Sequence, residues 1–283
     1  MLNGPRYSVI LPVCHGGDFL RTALDTAMAQ DFPSDAYEVI VAISADDTDA
    51  ASICAGAARR NGVPMRCVTS DGPHRSDLLN AACAEARGEW FAFTDDDCVI
   101  PPDWLKRIEE TTRRNPDAAL IGGVDELQEG GSAFDVALDR VLHSKLGAGS
   151  VRLPNGLGGE RYFPKLWNMA GPHRLLESAA IAAEGQEARI FDPALAVHED
   201  VELGARIRKA GGRILFAPDV RVRHSRDTTF RSFLRRNFNM ARACRSKGLH
   251  VAPHLCLSGG LLLMIALAAL SGVLCERSAV INI

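Results

Sequence analysis

The sequence predicts an α/β fold: a mostly parallel sheet flanked by helices, followed by a C-terminal transmembrane helix. Three observations carry that prediction. Over the first hundred residues short apolar runs alternate with helix-length stretches, the rhythm of β-α-β units. The fourth run, Glu89–Phe93, leads straight into Asp95-Asp96-Asp97, and parallel sheets bind ligands at the carboxyl ends of their strands. Near the end of the 283 residues, Leu255–Cys275 runs 21 residues without a charge.

The elements follow in order. Tyr7–Val13 is an apolar run ending in Cys-His-Gly-Gly, a strand entering a turn. Asp18 caps a helix with Leu20, Leu24, Ala27 and Met28 on its buried face, stopped by Pro33. Glu38–Ser44 is the second strand, and Asp46–Arg60 a helix ending near Asn61-Gly62. Met65–Val68 is the third strand, Ser76–Arg87 the third helix, and Glu89–Phe93 the fourth strand. A helix from Pro102 stops at Asn115-Pro116, and Ala119–Val124 resembles another strand. Residues 147–165 are a Gly- and Pro-rich loop, and Asn168-Met-Ala opens onto a helix over Pro172–Ala182. His198-Glu199-Asp200 heads a helix ended by Gly211-Gly212. Two short strands, Arg213–Phe216 and Val220–Arg223, precede His224.

Composition excludes a disordered chain: 47% of residues are apolar, and 32 Lys and Arg stand against 35 Asp and Glu. The net charge of -3 conceals an asymmetry. Residues 1–200 carry 18 basic and 31 acidic side chains, a balance of -13, and residues 201–250 carry 13 and 3, a balance of +10. The eight cysteines form no C-x-x-C pair, which argues against structural zinc and fits a reducing compartment.

At 1.5 Å per residue, a helix over Leu255–Cys275 is about 31 Å long, enough to cross a bilayer core. A buried core helix is the competing reading. Arg231, Arg235, Arg236, Arg242, Arg245 and Lys247 precede the run, a bias that keeps residues 1–250 on the cytoplasmic side of a cytoplasmic or inner membrane. Basic residues here face anionic lipid or a phosphate-bearing substrate, and no nucleic acid is expected.

Asp95-Asp96-Asp97 carries the sharpest local chemistry. Adjacent carboxylates repel unless a cation or water relieves them, and hard oxygen ligands suit Mg²⁺ or Mn²⁺ held together with a phosphate. A solvated turn capping the next helix is the alternative. Glu199-Asp200 is open in the same way, between first-turn acids complementing a helix dipole and working carboxylates. Asn168 stands between a helix cap and a site residue.

At this point the sequence resembles an inverting glycosyltransferase of family 2, on the nucleotide-sugar-binding α/β fold called GT-A. The resemblance covers most of residues 6–247. It rests on Val9-Ile10-Leu11-Pro12-Val13, Tyr37-Glu38-Val39-Ile40-Val41, Leu79-Asn80-Ala81-Ala82 and Ala86-Arg87-Gly88-Glu89-Trp90. It continues through Phe93-Thr94-Asp95-Asp96-Asp97, Pro102-Asp103-Trp104-Leu105, Gly122-Gly123, Asn168-Met169-Ala170 and His198-Glu199-Asp200-Val201-Glu202-Leu203.

The resemblance implies the roles that follow. Asp95 and Asp97 fall on a D-x-D motif that meets the ribose and the diphosphate-bound Mg²⁺ or Mn²⁺, with Asp96 between them. Glu199-Asp200 falls on an E-D motif whose second acid is the general base. His224 completes the metal site. Arg75 faces the diphosphate, and Pro12 and Asp46 line the nucleotide. The stretch Ile43–Asp49 departs from the family's paired Asp and Gly-Ser, and Arg235-Arg236-Asn237-Phe238-Asn239-Met240 replaces the Q-x-x-R-W of processive members.

The resulting expectation is a metal-dependent transferase that moves one sugar from a UDP-linked donor to a lipid-linked or cell-envelope glycan. Residues 1–250 are its catalytic domain, with a nucleotide-binding half at 1–125 and an acceptor half at 126–250, and residues 251–283 are its anchor. The competing expectations are an inactive membrane-bound relative and a nucleotidyltransferase on a similar fold.

Overall fold

The computed structural model describes residues 4–59, 62–142, 164–182, 187–195, 197–225 and 229–235. The chain forms two compact units. The first, Met1–Glu126 with Tyr162–Ser225, holds the sheet; the second, Leu127–Arg161 with Arg226–Ile283, holds helix α5 (Ala133–Leu142). In the second unit Phe134 packs edge-on against Phe230 and Phe233.

The first unit alternates strands and helices: β1 (Tyr7–Pro12), α1 (Gly17–Ala27), β2 (Tyr37–Ser44), α2 (Thr48–Ala58), β3 (Met65–Ser70), α3 (Arg75–Glu85) and β4 (Trp90–Phe93). There follow β5 (Cys98–Val99), α4 (Trp104–Arg114), β6 (Ala118–Leu127), a 3-10 turn (Leu166–Asn168), β7 (Met169–Pro172), α6 (His173–Ser178), α7 (Glu199–Lys209) and β8 (Arg213–His224). The sheet order is β3-β2-β1-β4-β7-β6-β8-β5. Strands β3, β2, β1 and β4 run parallel, whereas β4–β7, β7–β6 and β8–β5 pair antiparallel.

Burial on both faces explains the unbroken apolar runs of β1 and β2. Val9, Leu11, Val39, Val41 and Ile43 face a core shared with α1, α2 and α4; Ile10, Ile40 and Ala42 face the core under α3 and α7. Ser8 interrupts that pattern with a partner. Its hydroxyl donates to Glu38 Oε1 at 2.6 Å and accepts the Gly88 N–H at 2.8 Å. A Cβ on Gly88 would lie 2.4 Å from the Ser8 nitrogen, so only glycine permits this approach. Gly123 is tighter still, since its Cβ would lie 1.8 Å from the Val220 carbonyl oxygen on β8.

Several boundaries differ from expectation, each for a local reason. Gly16, at positive φ, and not Asp18, precedes α1. Asp47 caps α2 by accepting the Ala50 N–H at 2.9 Å, which starts that helix at Thr48. The stretch expected to be a helix from Pro172 to Ala182 begins as β7 and leaves only the short α6. Arg213–His224 is one strand where two are expected, and it runs on through Pro218 although proline lacks the N–H of a ladder residue. Most of the expected loop at 147–165, and all of Leu255–Cys275, lie outside the described residues. Among the described residues, no helix is long and apolar enough to cross a membrane.

Candidate active site

The carboxyl ends of the parallel strands share one edge, and that edge carries Pro12, Asp46 and Asp95-Asp96-Asp97. Pro12 closes β1 in register with Ala42. Asp46 is exposed just beyond β2, where it accepts the Ser44 hydroxyl at 2.5 Å.

The three aspartates do different things. Asp95, buried, is bound by the Arg75 guanidinium from the start of α3. Burial pushes its carboxyl above the ordinary range even though Arg75 opposes the shift. Asp96 Oδ2 accepts the backbone N–H groups of Cys14, His15 and Gly16 at 3.0, 2.6 and 2.8 Å. Its Oδ1 meets His15 Nδ1 at 3.1 Å, and that contact raises the His15 imidazole. Asp96 thus holds the turn after β1.

Asp97 faces the far strand, with its Oδ2 at 3.0 Å from His224 Nε2 at the end of β8. Burial alone would raise this carboxyl, but the His224 hydrogen bond and the charges of His224, His15 and Arg75 outweigh it and hold it below the usual range. Cys98 Sγ lies 3.8 Å from Asp97 Oδ1. The Trp167 indole stacks on the His224 ring with centroids 4.7 Å apart.

The second acid pair enters from α7. His198, just before it, has φ 68, the one left-handed non-glycine among the described residues. That conformation costs about 1–2 kcal/mol and turns the chain so that Glu199 and Asp200 begin the helix, both buried. Glu199 Oε1 lies 3.5 Å from Arg75 Nε, and burial raises its carboxyl despite that cation. Asp200 accepts the Val201 N–H at 2.7 Å and the Leu166 N–H at 3.4 Å, and Lys165 Nζ stands 3.9 Å from its Oδ2. Arg75 therefore joins the strand-end triplet to the α7 acids.

Among the described residues, two clusters of side-chain donors lie close enough together for a metal: Asp97, Cys98 and His224, and His15, Asp96 and Asp97. A carboxylate-led set beside an imidazole fits a hard divalent cation such as Mn²⁺ or Mg²⁺, and Asp97 with His224 would hold it. Asp95, expected to be a ligand, is engaged by Arg75.

Asn168 ends the 3-10 turn rather than capping a helix. It is 2% exposed, accepts the Trp104 indole N–H at 3.0 Å and donates to the Val124 and Val220 carbonyls, each at 3.0 Å. It braces α4, β6 and β8. Sequence reasoning missed Lys165 and Trp167, which stood in or beside an apparently featureless loop, and gave His15 no role beyond its turn.

Comparisons with known proteins identify the family and the fold. Residues 5–243 match the family model described as Glycosyltransferase like family 2. An uncharacterized glycosyltransferase of Rickettsia felis is 26% identical over 54% of this chain and 25% of its own length. The succinoglycan biosynthesis proteins ExoA and ExoO of Rhizobium meliloti are 30% and 26% identical, over 53% and 82% of this chain and 43% and 64% of their own lengths. The chain thus spans less than two thirds of each of these curated relatives.

Among solved structures, the mannosyltransferase PcManGT of Pyrobaculum calidifontis, in complex with GDP-Man and Mn²⁺, superposes with a TM-score of 0.62 at 18% identity, over 98% of this chain and 80% of that one. S. aureus TarS with UDP-GlcNAc gives 0.56 at 16%, over 90% and 71%. At these identities the likeness establishes the fold, an α/β arrangement of the GT-A type.

Proposed function

The chain belongs to the glycosyltransferase family 2-like proteins; from that premise we propose that it is a glycosyltransferase that transfers one sugar from a UDP-linked donor to a hydroxyl of a lipid-linked or cell-envelope glycan, by metal-assisted single displacement with inversion. One observation carries the reading. Two acid motifs far apart in sequence meet around one cation, with Arg75 binding Asp95 on one side and lying 3.5 Å from Glu199 on the other.

Each residue then has a task that its surroundings support. Asp97 and His224 would hold the divalent cation, which when bound would supply charge neutralisation for the departing diphosphate. Arg75 adds a fixed positive charge beside the same group, and Asp95 orients Arg75. Asp96 keeps the turn after β1 in place, so that its backbone borders the donor. Asp200 takes the proton of the acceptor hydroxyl as general base. The helix N-terminus and Lys165 Nζ, 3.9 Å away, place positive charge beside it. Glu199 shapes the base's surroundings through Arg75. A single base opposite the leaving group serves a single displacement, the course that inverts the anomeric centre.

The acceptor and the location rest on other support. Two relatives are named for succinoglycan biosynthesis, which favours a glycan acceptor. The uncharged run Leu255–Cys275, with basic residues before it, favours attachment to the cytoplasmic membrane with the active site on the cytoplasmic face.

The test incubates purified protein with UDP-, GDP- and dTDP-sugars and membrane extract, with Mn²⁺ or with EDTA. Metal-dependent release of UDP, with labelled sugar entering the lipid or glycan fraction at inverted configuration, supports the reading. Transfer undiminished in EDTA, or retention of configuration, overturns the mechanism.

A further inference from the structure

Two cysteines sit together away from the acid site. Cys54 lies on the buried face of α2, and Cys67 lies in β3, the strand at one edge of the sheet. Their placement on one face follows from register. Cys67 stands opposite Val41 of β2, and residues directly opposite in a ladder point to the same side. Val41 and Cys54 belong to one buried cluster, and Met65, two residues before Cys67, packs against that cluster as well. The two thiols are close enough that a hydrogen bond from Cys54 to Cys67 shifts the ionisation of both. Cys54 is buried and Cys67 is exposed, so one thiol is open to a reagent and the other waits behind it.

We propose that Cys54 and Cys67 are a redox-responsive dithiol, in which a hydroperoxide oxidises Cys67 and the pair then closes to a disulfide tying α2 to β3. The Cys67 thiolate attacks a peroxide oxygen. An S–O bond forms, the O–O bond breaks, and the leaving alkoxide or hydroxide takes up a proton as alcohol or water. The Cys54 sulfur then attacks the sulfenic sulfur. An S–S bond forms, the S–O bond breaks, and the sulfenic hydroxyl departs with the Cys54 proton as water. Two thiols lose two electrons, and one peroxide gains them.

The other described cysteines are poor competitors. The hydrogen bond from Cys54 lowers the Cys67 thiol below the ordinary range, which favours the nucleophilic thiolate. Desolvation pushes Cys14 up to about 12, and burial raises Cys83 and Cys98. The turn that carries Asp46 and Asp47 leads into α2, and the end of β3 touches it where the Ala45 N–H donates to the Ser70 carbonyl at 3.2 Å, so the bond would tie together two elements that border it.

The test treats the reduced full-length protein with hydrogen peroxide, blocks the remaining thiols with iodoacetamide and maps tryptic peptides by mass. Arg59, Arg60 and Arg66 separate the two cysteines, so a crosslink joins two distinct peptides. The expected product is one Cys54–Cys67 crosslink, reversed by dithiothreitol, together with a higher melting temperature. Cys67→Ser should leave Cys54 reduced under the same treatment. Iodoacetamide added before peroxide should label Cys67 ahead of Cys83 and Cys98 and prevent the crosslink in the native protein, which needs no variant to fold. Recovery of Cys54 as a free thiol after Cys67 has been converted to sulfinic acid would overturn the proposal. So would a dominant disulfide between other cysteines.

Discussion

Arg75 Nε lies 3.5 Å from Glu199 Oε1 while the same guanidinium binds Asp95, so one side chain at the start of α3 supports both acid motifs of the site. Removing it strands two buried carboxylates. Arg75→Met should lower stability by about 3 kcal/mol, the usual result of deleting one partner of a buried ion pair. Urea denaturation checks this, with Arg75→Lys expected to fall between the two.

Asp96 differs from its neighbours, because its carboxylate gathers three consecutive backbone N–H groups. Asp96→Ala should cost about 2–4 kcal/mol, given that hydrogen bonds to a charged group contribute roughly 1.5–3 kcal/mol each and water replaces part of them. Hydrogen exchange at Cys14, His15 and Gly16 should rise in the variant. Unchanged exchange there would mean the turn is held by something else.

Asn168→Ala should destabilise the fold by about 3 kcal/mol, since it leaves an indole N–H and two carbonyls in the core without their partner. Calorimetric melting measures the loss. Donor affinity in the folded variant should stay near that of the native protein, because Asn168 is buried and its hydrogen bonds go to Trp104, Val124 and Val220.

The sheet was legible in the sequence because its central strands are buried on both faces, so Val9–Leu11 and Val39–Ile43 are continuous apolar runs that periodicity alone finds. Asn168 was not legible. A polar residue satisfied by two carbonyls and an indole looks the same in sequence as one facing a ligand. The division of labour within Asp95-Asp96-Asp97 was hidden for a similar reason, since it depends on where the turn at residues 14–16 points its N–H groups. Lys165 and Trp167 gave no local signal; only the fold brings them to Asp200 and His224.

Asp97 and His224 share a 3.0 Å contact and are the expected cation ligands. Asp97→Ala should remove Mn²⁺-dependent binding of nucleoside diphosphate, and His224→Ala should weaken it by about 10–100-fold. Titration calorimetry with and without Mn²⁺ separates the two. The melting temperature of Asp97→Ala should fall, because the fold holds this carboxyl below its usual range and the substitution removes the His224 contact.

The central claim is that Asp200 takes the proton of the acceptor hydroxyl while Asp97, His224 and Arg75 hold the donor. Transfer of labelled sugar by Asp200→Asn, with donor binding measured in parallel, tests it most directly, and Glu199→Gln serves as the control. The amide keeps the size of the carboxylate but cannot take the proton, so turnover should fall by about 10²–10⁴-fold with donor affinity nearly unchanged. Near-native transfer by Asp200→Asn, together with an inactive Glu199→Gln, would contradict the account and move the base to Glu199.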